Sequence, residues 1–290
     1  MKILRELSAI KAACRDAGRH GRLGLVPTMG ALHEGHLSLV RRACDECDQV
    51  AVSVFVNPLQ FGDRQDLERY PRQLEEDAAL LADAGAHIVA ALQEHEMYPA
   101  GFSTTVTQGS QLTRSLEGAA RPGHFDGVLT VVAKLFSIAG PCTAYFGQKD
   151  FQQTVVVRRL IDDLDLPVHF TVCDIRRDHD GLALSSRNAF LSADDRRRGL
   201  SLVTALRAAE QLFDQGETSR EVLEGAMHKI LCEALGQAPD YAAIVDPLDL
   251  SQRPTVKRGD VAVLAGQVGP VRLLDNHVLG AFLVLPQSAP

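Results

Sequence analysis

The sequence predicts an α/β protein: a mostly parallel sheet with crossover helices, followed by a smaller α+β domain. Three observations carry this. Short apolar runs alternate with helical periodicities up to about residue 177, as a parallel sheet covered by helices requires. Clusters of glycine, histidine, lysine and amide residues follow three of those runs, and sheets of this kind bind ligands beyond the carboxyl ends of their strands. After Arg177 the rhythm changes to two helical stretches and then short strands.

Taken in order, Leu23–Val26 reads as a buried strand, and Leu37, Leu39, Val40 and Ala43 after it recur at helical spacing, predicting a helix over Leu37–Cys47. Further apolar runs predict strands at Val50–Val56, Ile88–Ala91, Thr143–Phe146 and Val168–Val172. Helical patterns fall at Leu74–Ala84, Val128–Ala139 and Gln153–Leu164. The polar segment Asp178-His179-Asp180-Gly181 opens the second part, with helices expected at Ala193–Gly216 and Arg220–Leu235. Strands are expected there near Tyr241–Val245, Val261–Gly266 and Val271–Asp275. The expected domains are 1–177 and 178–290, and Gln287-Ser288-Ala289-Pro290 is expected to fray.

With 290 residues, 46% of them apolar, the chain can build one large or two modest cores. Its longest apolar stretch, Val128 to Gly140, is interrupted by Lys134 and too short for a bilayer. No basic segment followed by an apolar one opens the chain, so a cytoplasmic location is expected. A formal net charge of −7 argues against a polynucleotide partner. Six scattered cysteines read as reduced thiols rather than a disulfide frame. His33, His36, Cys44 and Cys47 superficially offer four zinc ligands, but on one helix His36 and Cys44 would stand roughly 12 Å apart, too far to share an ion.

The densest signal is Pro27-Thr28-Met29-Gly30-Ala31-Leu32-His33-Glu34-Gly35-His36, at the junction of the first strand and the first helix. His33 and His36 share one face of the helix's first turn, where backbone N–H groups and the dipole favour an anion. Gly30 and Gly35 let phosphate approach the backbone. The alternative is a pair of surface histidines in an ordinary turn. Two further clusters, Gly147-Gln148-Lys149-Asp150-Phe151-Gln152-Gln153 and Ser185-Ser186-Arg187-Asn188, also follow apolar runs and carry groups that bind phosphate or ribose. Taken alone, Lys149–Asp150 reads more readily as a solvated pair and Ser185–Arg187 as an ordinary loop.

PTMGALHEGH, FVNPLQFG (Phe55 to Gly62), RPGHF (Arg121 to Phe125), FGQKDFQQ (Phe146 to Gln153) and GLALSSRN (Gly181 to Asn188) together resemble, in order and over most of the chain, the motif set of the pantothenate synthetase (pantoate–β-alanine ligase) family. The His-Glu-Gly-His run is similar to the HxGH signature of the wider nucleotidyltransferase superfamily. The resemblance implies a Rossmann-like first domain and a second that closes over the ATP site. It implies condensation of (R)-pantoate with β-alanine through pantoyl adenylate, with ATP as substrate, Mg2+ as its counterion and release of AMP and pyrophosphate.

Residue by residue, it implies that His36 stabilises or protonates the leaving pyrophosphate, that His33 orients phosphate oxygens and that Lys149 bridges phosphates as bonds change. Met29, Gly30, Ala31, Leu32, His33, Glu34, Gly35 and His36 match the first ATP-binding segment, and Gly147, Gln148, Lys149 and Asp150 the second, with Asp150 at the ribose. Arg176, Leu184, Ser185, Ser186 and Arg187 match the third. Gln60 and Gln153 match the pantoate-binding amides, and Gln60 also borders β-alanine. Leu59 and Phe61 are candidate walls for the pantoate methyls, while Asn57-Pro58 reads as turn chemistry that presents Gln60. Tyr70, Glu117 and Arg121 match positions around the site.

Asp77, in the acidic run Glu75-Glu76-Asp77, resembles a position implicated in metal binding, although such a run usually forms a solvated face and no protein ligand for the metal is assigned. Gln148, Phe151 and Arg176 depart from the family's commoner residues. Relatives of this family are dimers, which makes a homodimer an expectation. Rival readings are an HxGH adenylyltransferase, a class I aminoacyl-tRNA synthetase and a nucleotide-binding regulator without catalysis. The amides of FVNPLQFG argue against the first, the acidic charge and the lack of room for a large tRNA-binding module against the second, and the presence of His36, Lys149 and Arg187 against the third.

Overall fold

The computed structural model describes residues 1–62 and 64–281; the expectation for Gln287–Pro290 falls outside them. It divides into two compact units, one of residues 1–147 with 156–174, the other of residues 148–155 with 175–281.

Among the described residues of the first unit, six strands form one parallel sheet: β1 (Lys2–Leu4), β2 (Leu23–Thr28), β3 (Gln49–Val54), β4 (Ile88–Ala91), β5 (Cys142–Gly147) and β6 (Val168–Cys173). Their order is β1-β4-β3-β2-β5-β6, every pair parallel. The central strands are continuous apolar runs because helices cover both faces. The chain winds from β2 outward to β4 and then returns to place β5 on the other side of β2. The crevice between β2 and β5 is therefore the topological switch point.

The covering helices are α1 (Leu7–His20), α2 (Glu34–Glu46), α3 (Arg64–Arg69), α4 (Leu74–Asp83), α5 (Glu94–Met97), α6 (Glu117–Ala120), α7 (His124–Ala139) and α8 (Phe151–Asp163), whose first turn groups with the second unit. Under α2 and α4, Val26, Val40, Val52, Leu81 and Val89 pack as one apolar cluster. Here apolar burial holds the strand ends in place.

In the second unit, α9 (Ala193–Gly199), α10 (Ser201–Asp214) and α11 (Arg220–Leu235) pack on an antiparallel sheet of β7 (Tyr241–Val245), β8 (Val261–Val268) and β9 (Val271–Val278). Leu202, Leu206, Leu223, Met227 and Leu231 meet Ile244, Leu264 and Leu273 in its core. Among the described residues no helix is long and apolar enough to cross a membrane.

Several boundaries differ from the sequence reading. The first strand and helix, β1 and α1, carry no prediction. β1 is three half-exposed residues, and α1 shows only the sparse stripe Ile10, Cys14, Ala17 amid charges. The single helix expected over Ala193–Gly216 is two, parted at Leu200, where Gly199 lies close against Leu182 and Leu273. Strand β3 ends at Val54 rather than Val56, because Asn57 caps the one-turn 3₁₀ helix Pro58–Gln60. Helices α2, α7 and α8 begin two to four residues before their apolar periodicity, since their first turns are built from polar residues.

Candidate active site

β2 delivers the chain into its loop at Thr28, whose hydroxyl donates to the Ser53 carbonyl (2.7 Å) and accepts from the Gly30 amide (3.3 Å). Gly30 has φ of +82°, and a Cβ there would come within 2.9 Å of a carboxylate oxygen of Asp77, so the turn requires glycine. Asp77 belongs to the acidic run at the start of α4, yet it is fully buried while Glu75 and Glu76 are exposed. Its Oδ2 accepts from the Ala31 amide at 3.0 Å and its Oδ1 from the Leu32 amide at 2.8 Å. Burial pushes its carboxyl above the ordinary range, against the pull of those two donors. The solvated-face expectation thus fails for Asp77. The anion these two loop amides hold is the protein's own buried carboxylate.

The entrance of α2 is closed by its two histidines. His33 is the N-cap, and its Nδ1 accepts from the Gly35 amide (3.1 Å), while His36, three residues on, accepts the His33 amide on its own Nδ1 (3.4 Å). This is a capping box built from imidazoles. Because backbone N–H groups can only donate, both Nδ1 atoms are acceptors, and each neutral ring carries its hydrogen on Nε2. The ring centroids lie 4.1 Å apart. The amides expected to receive an anion at this helix start are therefore partly occupied, and the imidazoles carry their hydrogens on Nε2. Glu34 faces outward, paired with Arg41.

Gln60 joins this loop from the 3₁₀ turn: its Nε2 donates to Met29 Sδ at 3.2 Å. Its Oε1 accepts from Asn57 Nδ2 (2.9 Å), and Asn57 Nδ2 also donates to the Gly127 carbonyl (3.1 Å). Tyr98 donates to Asn57 Oδ1 at 2.6 Å. The Gln60 carbonyl accepts from His124 Nδ1 (2.9 Å) and from Arg121 (3.3 Å), which also faces Glu117 at 3.9 Å. Gly127 sits under the turn so closely that a Cβ would fall 2.2 Å from the Leu59 carbonyl oxygen. Leu59 is 39% exposed, and Phe61 packs edge-on against Tyr70, so a side wall of apolar groups stands beside Gln60. Tyr98 and Gly127 have no place in the sequence reading, and His124 enters it only as part of RPGHF, without a role of its own. The first turn of α7 hid the roles of His124 and Gly127, because it precedes the apolar stripe used to find that helix, and Tyr98 follows the short helix α5, which carries no such stripe.

In the second unit, Gln148–Asp150 form a 3₁₀ turn, with Lys149 and Asp150 3.7 Å apart and Gln153 half-buried in the first turn of α8. The turn is held by Asn276 of β9. Its Nδ2 donates to the carbonyls of Gln148 and Lys149, both at 2.9 Å, and its Oδ1 accepts from Gln148 Nε2 at 3.1 Å. Next to it, Asp275 receives both Nη groups of Arg177 at 2.5 and 2.9 Å, with both side chains almost wholly buried. Arg177 donates in addition to the Gly181 carbonyl (3.2 Å), clasping a tight hairpin in which the Leu184 amide donates to the exposed Arg176's carbonyl (2.9 Å). That hairpin presents Ser185, the cap of a 3₁₀ turn over Ser186–Phe190, whose Oγ accepts from the Arg187 amide (3.3 Å).

His277, third of the buried polar run, faces Glu210 at 3.1 Å; burial lowers its pKa, against the attraction of Glu210. The acids Asp178 and Asp180 are both paired with Arg196. The sequence reading ended this strand at Asp275 and missed Asn276 and His277. Three consecutive polar residues inside an apolar strand break the alternation of a sheet and were the available signal.

Met29 to His36 and Gln60 thus belong to the first unit with Gly147, whereas Gln148, Lys149, Asp150, Gln153, Arg176, Leu184, Ser185, Ser186 and Arg187 belong to the second. Residues 2–278 match the family described as pantoate-beta-alanine ligase. A pantothenate synthetase of Roseiflexus castenholzii is 50% identical over 97% of this chain and 100% of its own length, and one of Gluconobacter oxydans is 48% identical over 96% and 100%. Among solved structures, pantothenate synthetase of Thermus thermophilus is similar with a TM-score of 0.91 at 45% identity, covering 96% of this chain and 99% of that one. Pantoate-beta-alanine ligase of Francisella tularensis, solved as a complex with beta-gamma ATP and beta-alanine, is similar with a TM-score of 0.81 at 32% identity, covering 98% and 100%. A match of this extent at these identities leaves one assignment: the chain belongs to the pantoate-beta-alanine ligase family.

Proposed function

We propose that this chain is a pantothenate synthetase that condenses (R)-pantoate with β-alanine at the expense of ATP. A pantoate carboxylate oxygen attacks the α-phosphorus and the bond to pyrophosphate breaks. The β-alanine amine then attacks the acyl carbon of pantoyl adenylate, AMP leaves with the carbon–oxygen bond electrons, and the amine's proton passes to solvent. The observation that supports this best is the paired imidazole cap, which directs two neutral Nε2–H donors from one helix turn. Donors held in advance stabilise charge growing on phosphate oxygens without reorganising.

In this reading His36 stabilises or protonates the departing pyrophosphate and His33 orients phosphate oxygens. Lys149 bridges phosphates as a compact charge, and Arg187 with Ser185 and Ser186 adds a fork of donors. Asp150 takes the ribose hydroxyls, and Met29, Gly30 and Gly147 border the nucleotide. Gln60 and Gln153 hold pantoate. Magnesium accompanies the nucleotide and neutralises its phosphates, with no ligand assigned from the chain. A cytoplasmic homodimer is the corresponding cellular form.

The test is exchange of labelled pyrophosphate into ATP by the whole protein with magnesium, with and without pantoate, omitting β-alanine. Exchange that requires pantoate is expected. Protein that binds ATP but gives no exchange with pantoate would overturn the reading.

A further inference from the structure

The polarity of the Gln60 amide is settled by main-chain groups. The Gly127 carbonyl can only accept and the Leu59 amide can only donate, so Asn57, which touches both (3.1 and 3.4 Å), must turn Nδ2 to the first and Oδ1 to the second. With Nδ2 also facing Gln60 at 2.9 Å, the Gln60 atom there must be Oε1, which leaves Nε2 as the head that meets Met29 Sδ, a weak acceptor. Tyr98 completes the chain by donating to Asn57 Oδ1 at 2.6 Å. The phenol is wedged between Phe55 and Phe102, with ring centroids 6.0 and 4.9 Å away. Burial pushes its pKa above the ordinary phenol range, so it remains an O–H donor. The main chain of Gln60 is fixed separately, by His124 Nδ1–H and Arg121 on its carbonyl.

We propose that Tyr98, acting through Asn57, is a positioning residue that fixes Gln60 as a donor toward substrate, so that this position accepts an oxygen of pantoate, hydroxyl or carboxylate, and rejects an ammonium group. The proposal rests on the reading that Gln60 contacts pantoate. It carries a consequence for the second substrate: any contact of β-alanine with Gln60 Nε2 is made by an acceptor, such as its carboxylate, and not by a protonated amine.

The experiment is a double-mutant cycle of Tyr98→Phe and Gln60→Ala, following KM for pantoate, KM for ATP and kcat. Losing one orienting hydrogen bond should raise KM for pantoate roughly 5- to 10-fold in Tyr98→Phe, with KM for ATP unchanged. In the Gln60→Ala background the Tyr98 effect should vanish, because the residue it orients is gone. A purely structural role for Tyr98 would persist in that background and shift both substrates. Gln60→Glu gives a second route that spares Tyr98: its carboxylate still accepts from Asn57 but cannot donate, and pantoate binding should weaken by at least tenfold at neutral pH.

Unchanged pantoate KM in Gln60→Ala would overturn the assignment of Gln60 to pantoate itself. A weakened Gln60→Ala combined with an unaffected or fully additive Tyr98→Phe, or with near-native pantoate KM in Gln60→Glu, would overturn the positioning chain while leaving that assignment intact.

Discussion

The two units orient their candidate functional groups in opposite ways. In the first, main-chain groups set the polarity of the side chains: amides of the same helix turn fix the tautomers of His33 and His36, and the Gly127 carbonyl with the Leu59 amide fixes Asn57 and through it Gln60. In the second, buried side chains of the last strand do the work, Asn276 reaching back 128 positions to the Lys149 turn and Asp275 98 positions to Arg177. Backbone polarity cannot be mutated away, whereas a remote side chain can. The second unit should therefore depend on single side chains of its last strand, while in the first the dependence falls on the few side chains, Asn57 and Tyr98, that relay main-chain polarity to Gln60.

The sharpest way to break this comparison is to remove the donors themselves. His36→Ala and Lys149→Ala should each slow pantoate-dependent pyrophosphate exchange by roughly 100- to 1,000-fold, the scale of one preorganised transition-state donor. Near-native rates in both would remove the roles given to them. Next comes Gly127→Ala. Its methyl would fall on the Leu59 carbonyl, so α7 and the 3₁₀ turn must part, at a cost of about 1–3 kcal/mol in stability with a raised pantoate KM. A native melting temperature would show that the turn yields freely.

Asn276→Asp tests the remote arm. The replacement keeps the shape but sets a carboxylate oxygen against two carbonyls, and the loss of two donated bonds should lower kcat about tenfold. His277→Gln, one residue along the same strand but facing Glu210, should change thermal stability more than kcat. Equal kcat losses in the two would make β9 a generic support rather than a holder of the Lys149 turn.

The smallest effect on catalysis is a pH effect on stability that separates the units. Burial pushes the thiols of Cys14 and Cys142, both in the first unit, up to about 11 and about 12, while unfolded thiols ionise near 9. Over that window the folded state binds more protons than the unfolded one, so stability falls as pH rises from 9 toward 12. Thermal melts across this range should show the fall, and a Cys14→Ala, Cys142→Ala variant should flatten it; an identical slope in the variant would refute the cause.

Strands β2 to β6 and helices α2, α4, α7 and α8 were legible because apolar periodicity reports burial directly, and residues such as Val26, Val40, Val52 and Val89 are buried as that periodicity requires. Candidate site residues in sequence motifs stood out for a related reason. Histidines three apart at a helix start, or serines before an arginine in a turn, are local patterns whose chemistry follows from spacing. The helix starts at Glu34, His124 and Phe151 were harder, since their largely polar first turns carry no apolar stripe. Asp77 was misjudged for the same reason in reverse: a run of three acids looks solvated until a neighbouring loop brings two amides to one of them.

By itself, then, the sequence determined the alternation of strand and helix, the family, and which segments bear imidazole, amide, lysine and arginine. Only the tertiary structure decided which way those groups face. Donor and acceptor assignments at His33, His36, Asn57 and Gln60 arise from partners brought within hydrogen-bond distance by folding. The roles of Tyr98, Gly127, Asp275 and Asn276 exist only through contacts between segments distant in the chain. Periodicity is a property of neighbours in sequence and survives in one dimension; hydrogen-bond polarity is a property of neighbours in space and does not.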